Sequence, residues 1–326
     1  MHDILSRRDF SSQLACLGFG LLFRPRLHSG EGEAMPAKTL PFQLGIITDE
    51  ISGKLEDALD FIASYSLPGC ELREIWGKNI MNSPQDELDR AKALIEQHHL
   101  KVSDIASPVM KYNLPEMPAR PEQRDTFRAN FTEQDTDDLL HRSFKLAQLF
   151  GTNKVRVFAY SRVDDPEKAY PYVRARLAKA AALASQNGIV LVLENEHTCN
   201  VGTGKELGRI LRDVNSPSLR GNWDAGNAAM LGEVPYPDGY REVRGLIAHT
   251  HVKDVKKDPK TGKLLWAPVG GGFIDWRGQI KALIDDGYHG TMSLETHYRR
   301  RDGNKLESTR ESLEGLLKII NLETSG

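Results

Sequence analysis

Apolar runs typical of buried strands alternate with amphipathic helical segments along the chain after residue 41. Eight such alternations predict parallel strand–helix–strand units, which close into a single (β/α)8 TIM barrel of the α/β class. The barrel should occupy residues 41–326. An open doubly wound sheet is the alternative, but residues 47–50, after the first strand, lack the glycine-rich turn typical of it. The expected strands are 43–47, 69–73, 101–105, 154–158, 189–194, 219–224, 246–251 and 290–295, and the expected helices are 54–65, 84–98, 132–150, 166–187, 203–214, 236–243, 276–286 and 305–320.

Four consecutive strands end on a side chain that can bind a metal. Glu194 ends IVLVLE, Asp224 ends SLRGNWD, His251 ends GLIAHTH and Glu295 ends TMSLE. Because the carboxyl ends of barrel strands form one mouth, these side chains should lie together there. Three carboxylates and one imidazole predict one divalent metal, with Mn²⁺ favoured and Mg²⁺, Zn²⁺ or Co²⁺ as alternatives. A network of salt bridges is the other interpretation of such buried carboxylates.

Charge and cysteine content exclude some classes of partner and of structure. The net charge is −2, so no basic surface favours nucleic acid. The three cysteines, Cys16, Cys70 and Cys199, form no CxxC motif and indicate no disulfide framework. No nucleic-acid partner is therefore expected, whereas the predicted metal site favours a small-molecule, oxygen-rich substrate, and the oligomeric state is left open.

The N-terminal segment resembles an export signal. Ser6-Arg7-Arg8-Asp9-Phe10 precedes an apolar run over residues 14–23, which is a twin-arginine pattern. We expect residues 1–40 to be a signal peptide and linker, and the protein to be periplasmic or extracytoplasmic. The run is shorter than the about 20 apolar residues that span a bilayer, so no stable membrane insertion is expected after export. A chance arginine pair before an apolar helix is the alternative.

Several ordered motifs carry a resemblance to a known family. Over roughly residues 42–320, the chain resembles the xylose-isomerase-like TIM barrel superfamily, that is, the sugar phosphate isomerase/epimerase family. The motifs are LEN at 193–195, WDAGN at 223–227, HVKD at 251–254, PVGGGFIDW at 268–276 and GYHGTMSLE at 287–295.

The resemblance implies a metal-dependent enzyme acting on carbohydrates. It assigns Glu194, Asp224, His251 and Glu295 as ligands of one divalent metal. It also implies that Glu194 and Glu295 are catalytic, one removing a proton beside a carbonyl and the other delivering one, with an enediolate intermediate between the two steps. The expected function is that of a sugar isomerase or epimerase.

Two positions depart from the sugar epimerases of this family. Asn227 stands where those enzymes have His, and Asn200 stands where they have a second Glu. An amide binds a sugar oxygen but does not transfer protons. A keto-glycoside lyase and a keto-sugar or inositol dehydratase, which use the same fold and metal site, therefore stay open as alternatives.

Two further classes compete with these enzymes. A non-catalytic sugar-binding protein would keep an aromatic pocket without needing four metal ligands. An apurinic-site endonuclease uses the same barrel with a three-metal cluster and extra histidines. Residues 70–76 and 104–108, at the ends of the second and third strands, contain no histidine, which disfavours the endonuclease.

Four side chains are expected to bind substrate. Trp76 follows the second strand and can stack on a sugar face, with a core position as the alternative. Asn227 offers an amide, and Lys253 a charge that polarises a carbonyl, unless it is a solvated loop lysine. His297 shares a strand face with Glu295 because side chains alternate.

The two long loops at the same end of the barrel complete the expected pocket. Residues 106–131 and 252–275 follow the third and seventh strands and should line the pocket or cover it. The second loop supplies Trp266 as a wall. His249 should lie one layer deeper than His251, in the barrel interior.

Overall fold

The computed structural model describes residues 40–117 and 130–324. Eight parallel strands form a closed barrel, so the TIM barrel prediction is confirmed. Each expected strand is present within two residues of its expected ends. The barrel strands are β1 Gln43–Ile47, β2 Gly69–Leu72, β3 Lys101–Ile105, β4 Lys154–Val157, β5 Val190–Glu194, β6 Leu219–Asp224, β7 Ile247–Val252 and β8 Thr291–Leu294.

Helices surround the barrel and connect its strands. Two short helices, Thr48–Ile51 and Ala225–Met230, begin directly after β1 and β6 and were not expected. Among the described residues, no helix combines the length and apolar character needed to cross a bilayer. The helices are α1 Thr48–Ile51, α2 Leu55–Ser64, α3 Gln85–Gln97, α4 Thr136–Leu149, α5 Pro166–Gln186, α6 Gly204–Val214, α7 Ala225–Met230, α8 Tyr240–Val243, α9 Trp276–Asp285 and α10 Lys305–Thr324.

The helix expected at 236–243 is shorter than predicted. Only Tyr240–Val243 is regular α-helix. Tyr236 has φ −130° and ψ 131°, an extended conformation. Tyr236 precedes Pro237, and a residue before proline is restricted to extended backbone, so the helix begins later.

Pairing between neighbouring strands aligns the residues at the mouth. Asp224 on β6 is in register with His251 on β7, and Ser293 on β8 is also in register with His251. Because β8 also pairs with β1, the sheet has no open edge. The strands are buried on both faces, which explains why they appear in the sequence as nearly continuous apolar runs.

Two antiparallel hairpins extend from the mouth end of the barrel. One pairs Glu74–Ile75 with Lys78–Asn79 after β2, and the other pairs Asp254–Lys257 with Leu264–Ala267 after β7. The predicted export signal lies outside the described residues and stays a prediction.

Candidate metal centre and active site

The four predicted metal ligands converge at the mouth. One ligand atom from each of Glu194, Asp224, His251 and Glu295 lies within 4.8 Å of the others. All four side chains are buried. Each is at, or one residue beside, the carboxyl end of β5, β6, β7 or β8, which is why the chain brings them together.

The two ring nitrogens of His251 face different carboxylates. Its Nδ1 lies 3.3 Å from Glu194 Oε1 and 3.2 Å from Glu295 Oε2. Its Nε2 lies 3.1 Å from Glu71 Oε1. Burial alone would lower the pKa of His251, but the charges of Glu71 and the two glutamates of the cluster raise it well above its usual value. The ring is therefore held between two carboxylate environments.

Glu71 was missed by the sequence reasoning. It lies on β2, is wholly buried, and accepts hydrogen bonds from both His251 and His249. A carboxylate behind a metal-binding histidine fixes the orientation of the ring and raises its basicity. The available signal was a single glutamate inside the apolar strand GCEL. His249 lies beside Glu71 and Asp104, in the barrel interior as expected.

Lys253 occupies the space between the carboxylates. Its Nζ lies 2.8 Å from Asp224 Oδ2, 2.6 Å from Glu295 Oε2 and 3.6 Å from Glu194 Oε1. The side chain is fully buried, so Lys253 is not a solvated loop residue. A Cβ at Gly226 would lie 2.7 Å from Lys253 Cβ, so only glycine allows α7 to pack this closely.

Two buried arginines hold the outer oxygens of the glutamates. Arg156 Nη1 lies 3.3 Å from Glu194 Oε2, and Arg73 Nη1 donates to Glu295 Oε1. Together with Lys253 they offset the negative charge of the three carboxylates. The sequence reasoning gave neither arginine a role at the centre, because nothing in the pattern shows which way they extend.

These cations set the protonation of the cluster. Burial alone would raise the pKa of Glu295, but neighbouring charges, above all that of Lys253, hold it well below its usual range. The pKa of Glu194 is lowered for the same kind of reason: burial is outweighed by His251 and Arg156. For Asp224, burial outweighs Lys253, and the pKa is raised. The two glutamates are therefore ionised at neutral pH.

The ligand atoms of the four side chains suit one divalent metal. Asp224 Oδ2 and Glu295 Oε2 are buried and accept no hydrogen bond within residues 40–117 and 130–324. Although Lys253 lies close to both oxygens, its contacts lack hydrogen-bond geometry. Buried acceptors without donors cost free energy, and carboxylate oxygens with one imidazole are ligands that a divalent ion would satisfy.

Aromatic rings surround the centre on its outer side. The ring of Trp266 lies 5.2 Å from that of His297 and 6.0 Å from that of His197, in edge-to-face contacts. Lys253 Nζ is 5.6 Å from the Trp266 ring. His297 Nε2 lies 3.3 Å from Glu295 Oε1. Trp266 and His297 thus lie beside the candidate metal ligands.

The structure does not place Trp76 at the centre. Its indole N–H donates to Glu56 on α2, and Arg90 of α3 lies 4.7 Å from its ring centroid. Trp76 has φ 48° next to Gly77 at the tip of the first hairpin, and this turn directs the ring to the helices.

The two asparagines have different environments. Asn227 Nδ2 donates to Glu194 Oε1 over 3.1 Å, so Asn227 is part of the centre. Asn200 instead donates to backbone carbonyls of Ala159 and Ser161 and accepts from Val163 N–H. Asn200 therefore holds the loop after β4 and does not contact the carboxylate cluster.

Solved structures share the fold of this chain at low sequence identity. A structure of IOLI protein with bound zinc has a TM-score of 0.67 and 17% identity, over 87% of this chain and 100% of that one. The apo form of 3-keto-D-glucoside 4-epimerase YcjR from E. coli has a TM-score of 0.62 and 16% identity, over 85% and 99%. A xylose isomerase-like TIM barrel/4-hydroxyphenylpyruvate dioxygenase fusion protein has a TM-score of 0.64 and 19% identity. The match covers 86% of this chain but only 43% of the fusion protein.

Sequence comparison gives the family. A search of curated proteins returned no significant match. Residues 59–319 match the family described as xylose isomerase-like TIM barrel, which is most of the chain. Structures with this fold include the epimerase above, a D-tagatose 3-epimerase-like protein and a probable 3-DHS dehydratase. The chain belongs to the xylose isomerase-like TIM barrel family.

Proposed function

We propose that the protein is a divalent-metal-dependent sugar isomerase or epimerase. It moves a proton next to a carbonyl group of a small carbohydrate, through an enediolate intermediate. The observation that supports this best is the convergence of Glu194 and Glu295 with Asp224 and His251 in one buried cluster. Two carboxylates reach it from β5 and from the end of β8, with β6 and β7 between them.

The two glutamates are suited to act on the same substrate carbon. Each has one oxygen directed to the cluster and another held by an arginine, Arg156 for Glu194 and Arg73 for Glu295. This fixes the direction of both carboxylates, and preorganised groups need no rearrangement when the proton moves. A bound divalent metal would supply Lewis-acid stabilisation of the negative charge on the substrate oxygen.

Other side chains would position the sugar. Trp266 offers an aromatic face, and His297, Lys253 and Asn227 offer donors or acceptors for hydroxyl and carbonyl oxygens. The likeness to a 3-keto-D-glucoside epimerase and to a zinc-bound protein supports a carbohydrate and a metal. We propose Mn²⁺ as the ion, with Mg²⁺, Zn²⁺ and Co²⁺ as alternatives, because oxygen ligands predominate.

Hydrogen exchange tests this proposal directly. The wild-type enzyme, incubated with Mn²⁺ and keto-sugars in deuterated solvent, should exchange the hydrogen next to the carbonyl. Glu295→Gln keeps an oxygen ligand but weakens the base, so exchange should fall ~10²–10⁴-fold while elemental analysis still finds metal. Glu311→Gln, at a half-buried position of α10 paired with Arg300, is the control and should exchange at the wild-type rate.

Two results would contradict the proposal. Wild-type exchange in metal-loaded Glu295→Gln would exclude Glu295 as the base. Absence of exchange in the wild-type protein with every keto-sugar tested, despite sugar binding by calorimetry, would favour the non-catalytic sugar-binding protein.

A further inference from the structure

One buried carboxylate holds the base of the second hairpin, which follows β7 and spans residues 254–267. Asp254 begins this hairpin and is 1% exposed. Each of its two oxygens accepts two hydrogen bonds from the backbone. The four donors, at 2.8–3.3 Å, are the N–H groups of Val255, Gly270, Gly272 and Ile274. A single side chain therefore joins the hairpin to the segment 268–274 that follows it.

The backbone after the hairpin approaches this carboxylate very closely. A Cβ at Gly272 would lie 2.1 Å from Asp254 Oδ1 and 2.4 Å from the Val255 carbonyl oxygen, so only glycine fits there. The Trp276 indole N–H donates to the Lys253 carbonyl at 3.0 Å, directly before the hairpin. The PVGGGFIDW motif at 268–276 therefore supplies the groups that hold the base of the hairpin.

The same hairpin carries Trp266 to the metal centre. Trp266 pairs with Val255, in the pair next to that of Asp254 and Ala267. The indole is half-buried, and a Cβ at Gly226 would lie 3.2 Å from it, so it packs against the start of α7. The position of this ring beside the centre thus depends on how the base of the hairpin is held.

The bonds of Asp254 fix a loop and not the barrel. All four of its backbone donors lie outside the eight barrel strands, which close through their own pairing. A buried carboxylate costs free energy unless donors satisfy it. Placing one in a loop at the mouth, with four donors arranged around it, favours a requirement for a fixed hairpin at the site of substrate binding.

Building on the proposed function, we infer that Asp254 is a positioning residue that acts through Trp266. It holds the second hairpin in one orientation, so that the indole is presented to the ring of a sugar bound at the metal. The Asp254 carboxylate is bonded to backbone groups and takes no part in proton transfer. It therefore contributes to substrate affinity, and the chemical step should not depend on it.

A double-mutant cycle tests this inference. Asp254→Asn replaces one oxygen by an NH₂ group, which no longer accepts from two of the backbone donors. With Mn²⁺-loaded enzyme and tagatose or methyl 3-keto-glucoside, both KM for hydrogen exchange and the calorimetric dissociation constant should rise ~3–10-fold, the effect of losing an aromatic contact. At saturating sugar, kcat should match the wild type. Trp266→Ala should show the same pattern, and adding Asp254→Asn to it should cause no further loss.

Controls separate positioning from a general defect. Asp258→Asn makes the same change at the tip of the same hairpin, where Asp258 accepts from Lys260 and Thr261 N–H, and should resemble the wild type. Gly272→Ala displaces the Asp254 carboxylate from the opposite side and should reproduce the loss of affinity. Trp266→Phe keeps an aromatic face and should recover part of the affinity lost in Trp266→Ala.

The outcomes distinguish this inference from the proposed function. A further loss of affinity when Asp254→Asn is added to Trp266→Ala would overturn the inference, because the effect would then bypass the indole. A fall in kcat or in bound metal at unchanged KM would overturn it too. If the wild type binds these sugars without exchanging hydrogen, the proposed function fails, and the cycle of dissociation constants still decides the inference. Neither binding nor exchange by the wild type would overturn both.

Discussion

Glu71 shows how one buried residue can control the centre without belonging to it. It lies on β2, five strands before that of His251 in chain order, yet its Oε1 and Oε2 lie 3.1 Å and 3.2 Å from His251 Nε2. Burial would raise the pKa of Glu71, but the neighbouring histidines hold it well below its usual value. An anionic Glu71 directs His251 Nδ1 to the carboxylate cluster.

Replacing Glu71 should therefore weaken metal binding. Glu71→Gln keeps the shape but loses the charge that orients His251 and raises its basicity. We expect the affinity for Mn²⁺ or Zn²⁺ to fall ~10–100-fold, the usual effect of losing such a partner. Titration calorimetry on metal-free protein measures this.

Asp104→Asn is the matched control. Asp104 is equally buried on β3, and burial raises its pKa to about 6, but it faces His249 at 3.9 Å rather than His251. Metal affinity in this variant should remain within a few-fold of the wild type. An equal loss in both variants would mean that general damage to the barrel interior, rather than orientation of His251, weakens binding.

At the scale of elements, the start of α6 holds the loop that carries His197. Thr203 accepts a hydrogen bond from the Glu206 N–H, and Glu206 accepts from Thr203 N–H and Gly202 N–H. Arg162, in the loop after β4, also pairs with Glu206 at 2.9 Å. This capping box satisfies the free N–H groups of the helix end and connects two loops of the mouth.

Removing this cap should destabilise the protein measurably. Thr203→Ala loses the side-chain acceptor, and such losses cost ~0.5–2 kcal/mol of unfolding free energy. Urea denaturation followed by circular dichroism measures it. Lys54→Ala is the control, because Lys54 is the N-cap of α2 and makes no side-chain capping bond. A loss of similar size at Lys54 would argue against the capping interpretation.

At the scale of the whole molecule, Glu50 on α1 connects the segment after the second strand of the barrel to the segment after the last. Its Oε1 lies 2.7 Å from Arg73 Nη2, and its Oε2 lies 2.9 Å from Arg299 Nη2, in the segment after β8. Thr309 of α10 donates to the Glu50 carbonyl. Burial would raise the pKa of Glu50, but Arg73 and the other nearby cations lower it from 4.5 to about 2.

This pKa predicts a dependence of stability on pH. The folded pKa lies below the ordinary one, so the stabilisation is present above about pH 4.5 and lost as pH falls towards 2. A shift of this size corresponds to roughly 3 kcal/mol. Unfolding free energies of wild type and Glu50→Gln should differ most near neutral pH and converge as pH falls towards 2.

Glu311→Gln provides the comparison. Glu311 pairs with Arg300, and both side chains are more than a third exposed to solvent; such pairs contribute little, so this variant should track the wild type at each pH. A difference between wild type and Glu50→Gln that stays constant with pH would show that lost packing, not charge, explains the effect of Glu50.

The sequence by itself determined the barrel and the four candidate ligands. Strands buried on both faces leave continuous apolar runs, and these are visible without any tertiary information. Because every strand of such a barrel points the same way, a residue at the carboxyl end of a run must lie at the mouth. That rule alone brought together Glu194, Asp224, His251 and Glu295.

Only the tertiary structure decided what surrounds those ligands. Glu71 and the arginines Arg73 and Arg156 come from strands distant in sequence, and a local pattern does not show which partner a long side chain reaches across a barrel. The ring of Trp76 lies away from the centre and contacts Glu56, because of the backbone conformation at the tip of the first hairpin. His197 gained a partner from α7, namely Asn227. Strand position follows from local periodicity, whereas side-chain contacts across the barrel depend on how all eight strands are arranged in space.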